Sequence, residues 1–227
     1  PPRPSRTNHS IPLNNVADVI HYGSTAAISR VRPGVLLKLP YEPNTEGPHV
    51  GKVKESVAHA FSVEKPILEM LGSHPRIHQG IFLGEASHGS LQAYLDNNNS
   101  AMPLCLRKKW CKQACEATDY IHSRGVIHAD MRPENFLIHE STAGSLDLLL
   151  CDFGGAKCEK LRLWPYRSSS GPFSSVEEML EYTTKVNELF LQGQYPSVAG
   201  LVGGNVIMGC WLKKYKTVGE VLIAGIN

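Results

Sequence analysis

No apolar run in these 227 residues is long enough to cross a bilayer, so no membrane span is expected. Neither sign of charge dominates: 23 basic and 21 acidic residues give a net charge of +2, without a long run of either. That balance offers no footing for a nucleic acid or a membrane surface as partner. The six cysteines, at 105, 111, 115, 151, 158 and 210, have neither disulfide-scaffold spacing nor zinc-site spacing. Cys111, Cys115 and His122 do share one helical face. Trp110, Ala114 and Thr118 lie on it too, so helix core is the better reading than a metal. Pro1 to Arg6 lacks the makeup of a signal peptide, and residues 1–15, rich in Pro, Ser and Asn, are expected to form a flexible leader. These absences leave a reducing intracellular location, cytoplasmic or nuclear, as the expectation.

What the chain does have is concentrated in two polar breaks between apolar runs. Val126-Ile127-His128-Ala129-Asp130-Met131-Arg132-Pro133-Glu134-Asn135 is the first, and Leu150-Cys151-Asp152-Phe153-Gly154 the second. Asp130 lies five residues before Asn135 and 22 before Asp152. A Mg²⁺ that keeps several waters needs only one or two protein oxygens beside a ligand's phosphates, and Asn135 and Asp152 can supply them. Asp130 can accept or orient a hydroxyl proton, and Arg132 can steady a transferring phosphate. A lone Asp in such a loop would more often only cap a turn, but here a whole block stands in register with an Asp-Phe-Gly run.

Two further residues stand out by position. Lys38 closes the apolar run Val35-Leu36-Leu37, where a lysine either snorkels to solvent or meets a buried anion. Val57, Ala60, Phe61, Ile67, Leu68 and Leu71 recur at helical spacing, and Glu64 falls on their stripe. A carboxylate on an apolar face needs a cation. Pro66 stands two residues after Glu64, so a helix break near Ser62 is expected, with Ser62 capping a short second helix.

The chain resembles the protein kinases, whose catalytic loop reads H-R-D-x-x-x-x-N and whose metal motif reads D-F-G. Trp110 to Ile138 is similar to a fungal branch of that family, in which arginine often replaces the catalytic-loop lysine. The resemblance spans about residues 16–225. It implies an α+β, bilobal fold: a small β-rich N-lobe over 16–86 and a mainly helical C-lobe over 87–227. It also implies ATP and Mg²⁺ as cofactors and a protein substrate with a Ser or Thr hydroxyl, without nucleic acid or membrane, acting as a monomer. Asp130 and Arg132 take the catalytic positions, and Asn135 and Asp152 the metal positions. Lys38 and Glu64 become the strand-lysine and helix-glutamate pair that positions phosphates. Gly23 is what remains of a glycine-rich loop, although a plain hairpin turn is the better reading of that glycine alone. Glu85 and Ala86 fall in the hinge that binds adenine, and Leu137 among the nucleotide contacts.

The likeness also fails in places. Only His78 to Leu83 separate His74-Pro75-Arg76-Ile77 from the hinge, where a kinase has a full hairpin. After Asp152 there is no Ala-Pro-Glu motif, and no apolar helix fit to be the buried central helix of the large lobe. Val176 to Leu191 is amphipathic and suits a surface helix; Asn205 to Trp211 and Thr217 to Ile223 suit the last helices. Ala129 replaces an arginine that binds an activation-loop phosphate, which argues against switching through Ser168, Ser169 or Ser170. Three functions fit these residues: a Ser/Thr protein kinase, a kinase-like binding module without phosphotransfer, and a small-molecule phosphotransferase. The Asp-Phe-Gly run and Pro133-Glu134-Asn135 make the third the poorest fit.

Overall fold

The computed structural model describes residues 18–23, 25–42, 50–78, 82–164 and 176–225. The expected leader and Ser168, Ser169 and Ser170 lie outside them.

The N-terminal part is one four-stranded antiparallel sheet, β1 (Asp18–Tyr22), β2 (Ala26–Arg32), β3 (Val35–Pro40) and β4 (Phe82–Gly84), in that spatial order. The β2–β3 turn runs through Gly34 at φ 77°, a left-handed conformation that glycine adopts without steric penalty. Register places Lys38 opposite Ile28, and the neighbouring Leu37 and Lys38, on opposite faces of the strand, are both buried.

Helix α1 (Val50–Leu71) then runs unbroken across the sheet and past Pro66. The break expected near Ser62 is absent, and Ser62 caps nothing: its hydroxyl donates to the His59 carbonyl at 2.7 Å. An interior proline costs about 3 kcal/mol, because it removes a backbone donor and crowds the preceding turn. Val63, Ile67 and Leu71, on either side of Pro66, are almost wholly buried. Fully burying each such side chain contributes about 1.5–3 kcal/mol, so packing outweighs the proline.

The remainder is mainly helical. Helix α2 (Leu91–Asn98) is capped by Ser90, whose hydroxyl accepts from the Ala93 N–H at 3.2 Å. Helix α3 (Leu104–Ser123) buries Trp110, Gln113, Ala117 and Ile121. Cys111 is exposed and Cys115 half-buried, so the thiol face flanks the core and does not form it. All six cysteines are free thiols. Strand β5 (Val126–Ile127) pairs with β8 (Lys157–Cys158), and β6 (Phe136–Thr142) forms a hairpin with β7 (Ser145–Leu150). One apolar cluster joins Val63, Ile67 and Leu71 of α1 to Trp110 and Ile121 of α3, Ile138, Leu148 and Leu150 of the hairpin, and Phe153.

A polar knot fixes the hairpin to α3. Asp147 accepts from Lys109 Nζ at 2.9 Å, from Gln113 Nε2 at 2.6 Å and from the Ser141 hydroxyl, and Arg76 Nη1 lies 3.7 Å away. Gln113 also accepts the Leu148 N–H at 2.8 Å. Burial pushes the Asp147 carboxyl up, but the bonds from Ser141, Lys109 and Gln113 outweigh it and hold it at about 2, against an ordinary 3.8. A carboxyl depressed in the folded state contributes stability that is complete above its ordinary value and lost as pH falls through the depressed one. Asp147→Asn is therefore expected to lower stability by about 2 kcal/mol at pH 7 and by much less at pH 2. Urea midpoints at the two pH values check this; an equal deficit at both would rule out the charge as the cause.

After Asp152 come α4 (Val176–Leu191), α5 (Gly204–Trp211) and α6 (Val218–Gly225). Among its described side chains helix α4 is exposed along almost its whole length, Leu180, Leu189 and Phe190 included, so its apolar stripe is not buried as that of a packed surface helix would be. Trp211 stacks on Tyr195 at 5.7 Å, and Tyr195 meets Phe190 edge-on at 5.2 Å, tying α5 to the end of α4. Among the described residues after Asp152, no helix is buried on all its faces. No described helix is long and apolar enough to cross a membrane.

Candidate active site

Strand β3, helix α1 and the turn after β7 converge on one buried cation. Lys38 Nζ lies 2.9 and 2.7 Å from the two Glu64 carboxylate oxygens and 3.0 Å from Asp152 Oδ1. Lys38 is 8% exposed and Glu64 9%. Burial pulls the Lys38 ammonium down, but the Asp152 and Glu64 carboxylates outweigh it and hold it above its ordinary value. Burial likewise pushes Asp152 up, and Lys38 outweighs that and holds it below the usual carboxylate range. Both groups are therefore charged at neutral pH. The Phe61 ring lies 5.9 Å from the ammonium, closing its apolar side.

The Asp-Phe-Gly turn is locked in place by its neighbours. Asp152 is left-handed at φ 61°, an unfavourable state for a residue with a side chain. Phe153 is fully buried, its N–H donates to Glu64 Oε1 at 3.3 Å, and its ring meets His128 edge-on at 4.9 Å. A Cβ on Gly154 would lie 3.0 Å from the Ala60 Cβ, so a side chain there would have to push α1 back by a few tenths of an ångström. The Asp152 side chain stays 40% exposed, facing the cleft.

The catalytic-loop residues assemble beside it. Asn135 Nδ2 donates to the Asp130 carbonyl and to Asp130 Oδ2, both at 2.8 Å. Arg132 Nε lies 3.3 Å from the same Oδ2. Asp130 Oδ1 and Asn135 Oδ1 accept nothing among the described residues. Three bonds tie this loop to the end of β7: His128 Nε2 to the Cys151 carbonyl at 2.9 Å, the Cys151 N–H to the Asn135 carbonyl at 3.0 Å, and the Cys151 thiol to the same carbonyl at 3.3 Å. Ala129, at φ 65°, makes the sharp turn between His128 and Asp130.

The nucleotide-contact expectations fare unevenly. The Gly23 N–H donates to the Ala26 carbonyl at 2.8 Å. That amide is occupied in this structure, and a phosphate would have to displace the Ala26 carbonyl to reach it. The Glu85 N–H donates to the Gly34 carbonyl at 3.1 Å, while its carboxylate pairs with Arg30 and accepts from the Gly34 N–H at 3.3 Å. Glu85 thus pins the β2–β3 turn, and its N–H is not available to a base. The Ala86 N–H makes no backbone bond among the described residues. Leu137 bridges to Ser90 directly beyond the hinge segment, on the hairpin that leads back to Asn135.

One residue passed over in the sequence bonds two elements beside this site: His78. Its N–H donates to the Leu150 carbonyl at 2.8 Å, and its Nε2 bonds the Gly84 carbonyl at 2.9 Å. Nothing in its spacing marked it out; it sits in the shortened stretch between Ile77 and β4.

Among the described residues, no three His, Cys, Asp or Glu side chains gather so as to hold an ion by themselves. A metal at Asp152 and Asn135 must then draw most of its oxygens from water and ligand phosphates, the manner in which Mg²⁺ is held beside a nucleotide. The donor set fits that ion: one half-exposed carboxylate and one amide oxygen, with Lys38 close by to meet phosphate charge.

A family model described as the protein kinase domain matches residues 53–167, which hold Glu64, Asp130, Asn135 and Asp152. The chain belongs to the protein kinase family. It is 35% identical over 105 residues to serine/threonine-protein kinase TIO of Arabidopsis thaliana, covering 46% of this chain and 8% of that protein. It is 31% identical over 118 residues to serine/threonine-protein kinase PKH2 of Saccharomyces cerevisiae, covering 46% and 10%. With serine/threonine-protein kinase ksg1 of Schizosaccharomyces pombe it shares 29% identity over 116 residues, covering 46% and 19%. The matched part thus spans a fifth or less of these relatives. The expected α+β kinase architecture, with strands in the N-terminal part and helices beyond, is the one observed.

Proposed function

We propose that this chain is an ATP- and Mg²⁺-dependent Ser/Thr protein kinase domain, with an N-lobe over 16–86 and a C-lobe over 87–227. The observation that carries the reading is Lys38 held between Glu64 and Asp152, with Asp130 and Asn135 bonded to each other in the same cleft. Lys38 would exchange Asp152 for the α- and β-phosphates while Glu64 keeps its ammonium in place. Asp152 and Asn135 Oδ1 would hold the metal, which when bound neutralises phosphate charge. Asp130 Oδ1 would take the hydrogen bond of the acceptor hydroxyl, and Arg132 would steady the transferring group. Ala86 and Leu137 would line the base subsite. The Ser/Thr preference rests on Pro133-Glu134-Asn135 and on the names of the relatives.

Mg²⁺ with ATP at about 100 times its Kd is expected to stabilise the protein by about 2.7 kcal/mol, a melting shift of roughly 5–10 °C. Asp152→Asn should abolish the Mg²⁺-dependent part of that shift. An undiminished shift in Asp152→Asn would remove Asp152 from the metal site. A second reading, a nucleotide-binding interaction module without phosphotransfer, is favoured by the occupied Gly23 amide and by Ile127 beside the catalytic loop, which is 50% exposed. Binding without transfer of phosphate to any protein is its signature.

A further inference from the structure

We infer that α4 of one copy of this chain docks on the β5–β8 edge of a second copy, seating Leu180 against Ile127 with Glu177 and Glu181 beside Lys160. The contact joins two copies, in place of the monomer that the kinase resemblance implies, and it does not rest on the nucleotide reading.

The giving surface is one face of α4. Residues three, four, seven and eleven positions apart lie on the same side of a helix. Glu177, Leu180, Glu181, Thr184 and Glu188 follow that spacing, and all five are exposed, Leu180 by 57%. Val186, on the opposite side, is half-buried, so the helix leans on its own chain through that other side. Among the described residues, no ion pair reaches Glu177, Glu181 or Glu188; Lys185 borders the face and pairs with none of them. The face is thus one leucine set among three glutamates. It suits a lipid surface poorly, since helices that lie on membranes carry lysine and arginine beside their apolar anchors.

The receiving surface is the β5–β8 ladder. Register sets Ile127 opposite Lys157, and Val126 opposite Cys158. Directly paired residues share a face and successive pairs alternate, so one pair points inward and the other outward. Val126 and Cys158 are wholly buried, whereas Ile127 is 50% exposed. Beside Ile127 opens a hollow of about 490 Å³ whose rim carries Lys157, Glu159 and Lys160. The Lys160 stem lies along Gly125, where a Cβ would be 3.5 Å from Lys160 Cε, and no ion pair among the described residues engages its ammonium. Lys157 meets Glu159 at 2.9 Å, but the Glu159 side chain is 73% exposed, and so open a pair holds its lysine weakly.

The two surfaces answer each other. An amphipathic helix seats in a hollow by an apolar anchor, and the charges around that anchor select the partner. Leu180, with Glu177 one turn before it and Glu181 next to it, meets an apolar wall rimmed by ammonium groups. Each copy carries both surfaces, so two copies can exchange helices, each giving one and receiving one, and a two-fold exchange of this kind closes.

The test is sedimentation of the whole chain over a range of concentrations, as wild type, Lys160→Glu, Leu180→Asp, and Glu177→Lys with Glu181→Lys. The wild-type mass is expected to rise from one chain to two with concentration, and each variant should weaken that association by about tenfold or more. All the replaced residues are exposed, and equal melting temperatures check that the variants fold. Mixing Lys160→Glu with the double lysine variant should restore association to within about threefold of wild type. In that mixed pair the reversed charges oppose each other at one contact, and the native charges meet at the other. A wild type that stays a single chain throughout overturns the inference. So does association that survives both charge reversals, or a mixture no tighter than its two components. A single-chain wild type that binds phosphatidylcholine vesicles, and loses them in Leu180→Asp, overturns it in favour of a lipid surface. The Mg²⁺·ATP melting shift is expected to be the same in every variant, so the nucleotide reading stands or falls separately.

Discussion

Lys38→Met is expected to lower stability by about 3–5 kcal/mol and to abolish Mg²⁺·ATP binding. Glu64 lies on the buried stripe of α1, and two of its hydrogen bonds come from Lys38. Removing one member of a buried ion pair strands the other charge in a low-dielectric site, and that stranded charge accounts for most of the loss. For a chain of this size the melting temperature should fall by roughly 10 °C. The double substitution Lys38→Met with Glu64→Gln should recover part of the deficit, because no buried charge is then left unpaired. A solvated surface contact would lose under about 1 kcal/mol on the same substitution, so a small effect would contradict the burial argument. Asp152 should respond as well. Without the ammonium, its carboxyl should titrate higher, since Lys38 is what holds it below the usual range.

Asp130→Ala should lower phosphate transfer by about 100-fold or more while leaving the Mg²⁺·ATP melting shift intact, since a positioned acid–base group contributes about 10²–10⁴. The separation follows from the geometry. Asp130 Oδ2 is taken by Asn135 and Arg132, and Oδ1 faces outward from a side chain that is 48% exposed. Asp130 is thus free to meet an acceptor hydroxyl in the proposed reading, in which Asp152 and Asn135 would hold the metal. The loop that carries Asp130 is tied to the end of β7 through His128, Asn135 and Cys151. A misplacement near 1 Å can cost about 100-fold in rate, so these bonds bear directly on how fast Asp130 can work.

The parts legible in the sequence are those where one residue type answers one local need. An apolar run ending in Lys38, a helical stripe carrying Glu64, and the Asp130–Asn135–Asp152 spacing each imply their partners, and the folded chain brings them together. The boundaries of α4 and α5 fall within a residue of the spans expected from the apolar periodicity. Pro66 misled because its local penalty is visible in sequence, whereas the offsetting burial of Val63 and Ile67 depends on what α1 packs against. Gly23 and Glu85 sit at motif positions, yet the Gly23 amide bonds the Ala26 carbonyl and the Glu85 amide the Gly34 carbonyl, far off in sequence. Motif position says nothing about which acceptor a backbone N–H will find. The Gln113–Asp147 knot and His78 were illegible for the same reason: each pairs groups from separate elements, at distances only the tertiary fold sets.

The most direct measurement is transfer of γ-phosphate from labelled ATP, with Mg²⁺, to a generic basic protein substrate, comparing the wild type with Asp130→Ala. The expected result is transfer by the wild type that Asp130→Ala lowers about 100-fold or more, with the Mg²⁺·ATP melting shift equal in the two proteins. Transfer that Asp130→Ala leaves intact would contradict the site assignment. A wild type that binds Mg²⁺·ATP yet transfers nothing would contradict the catalytic reading and leave the binding module.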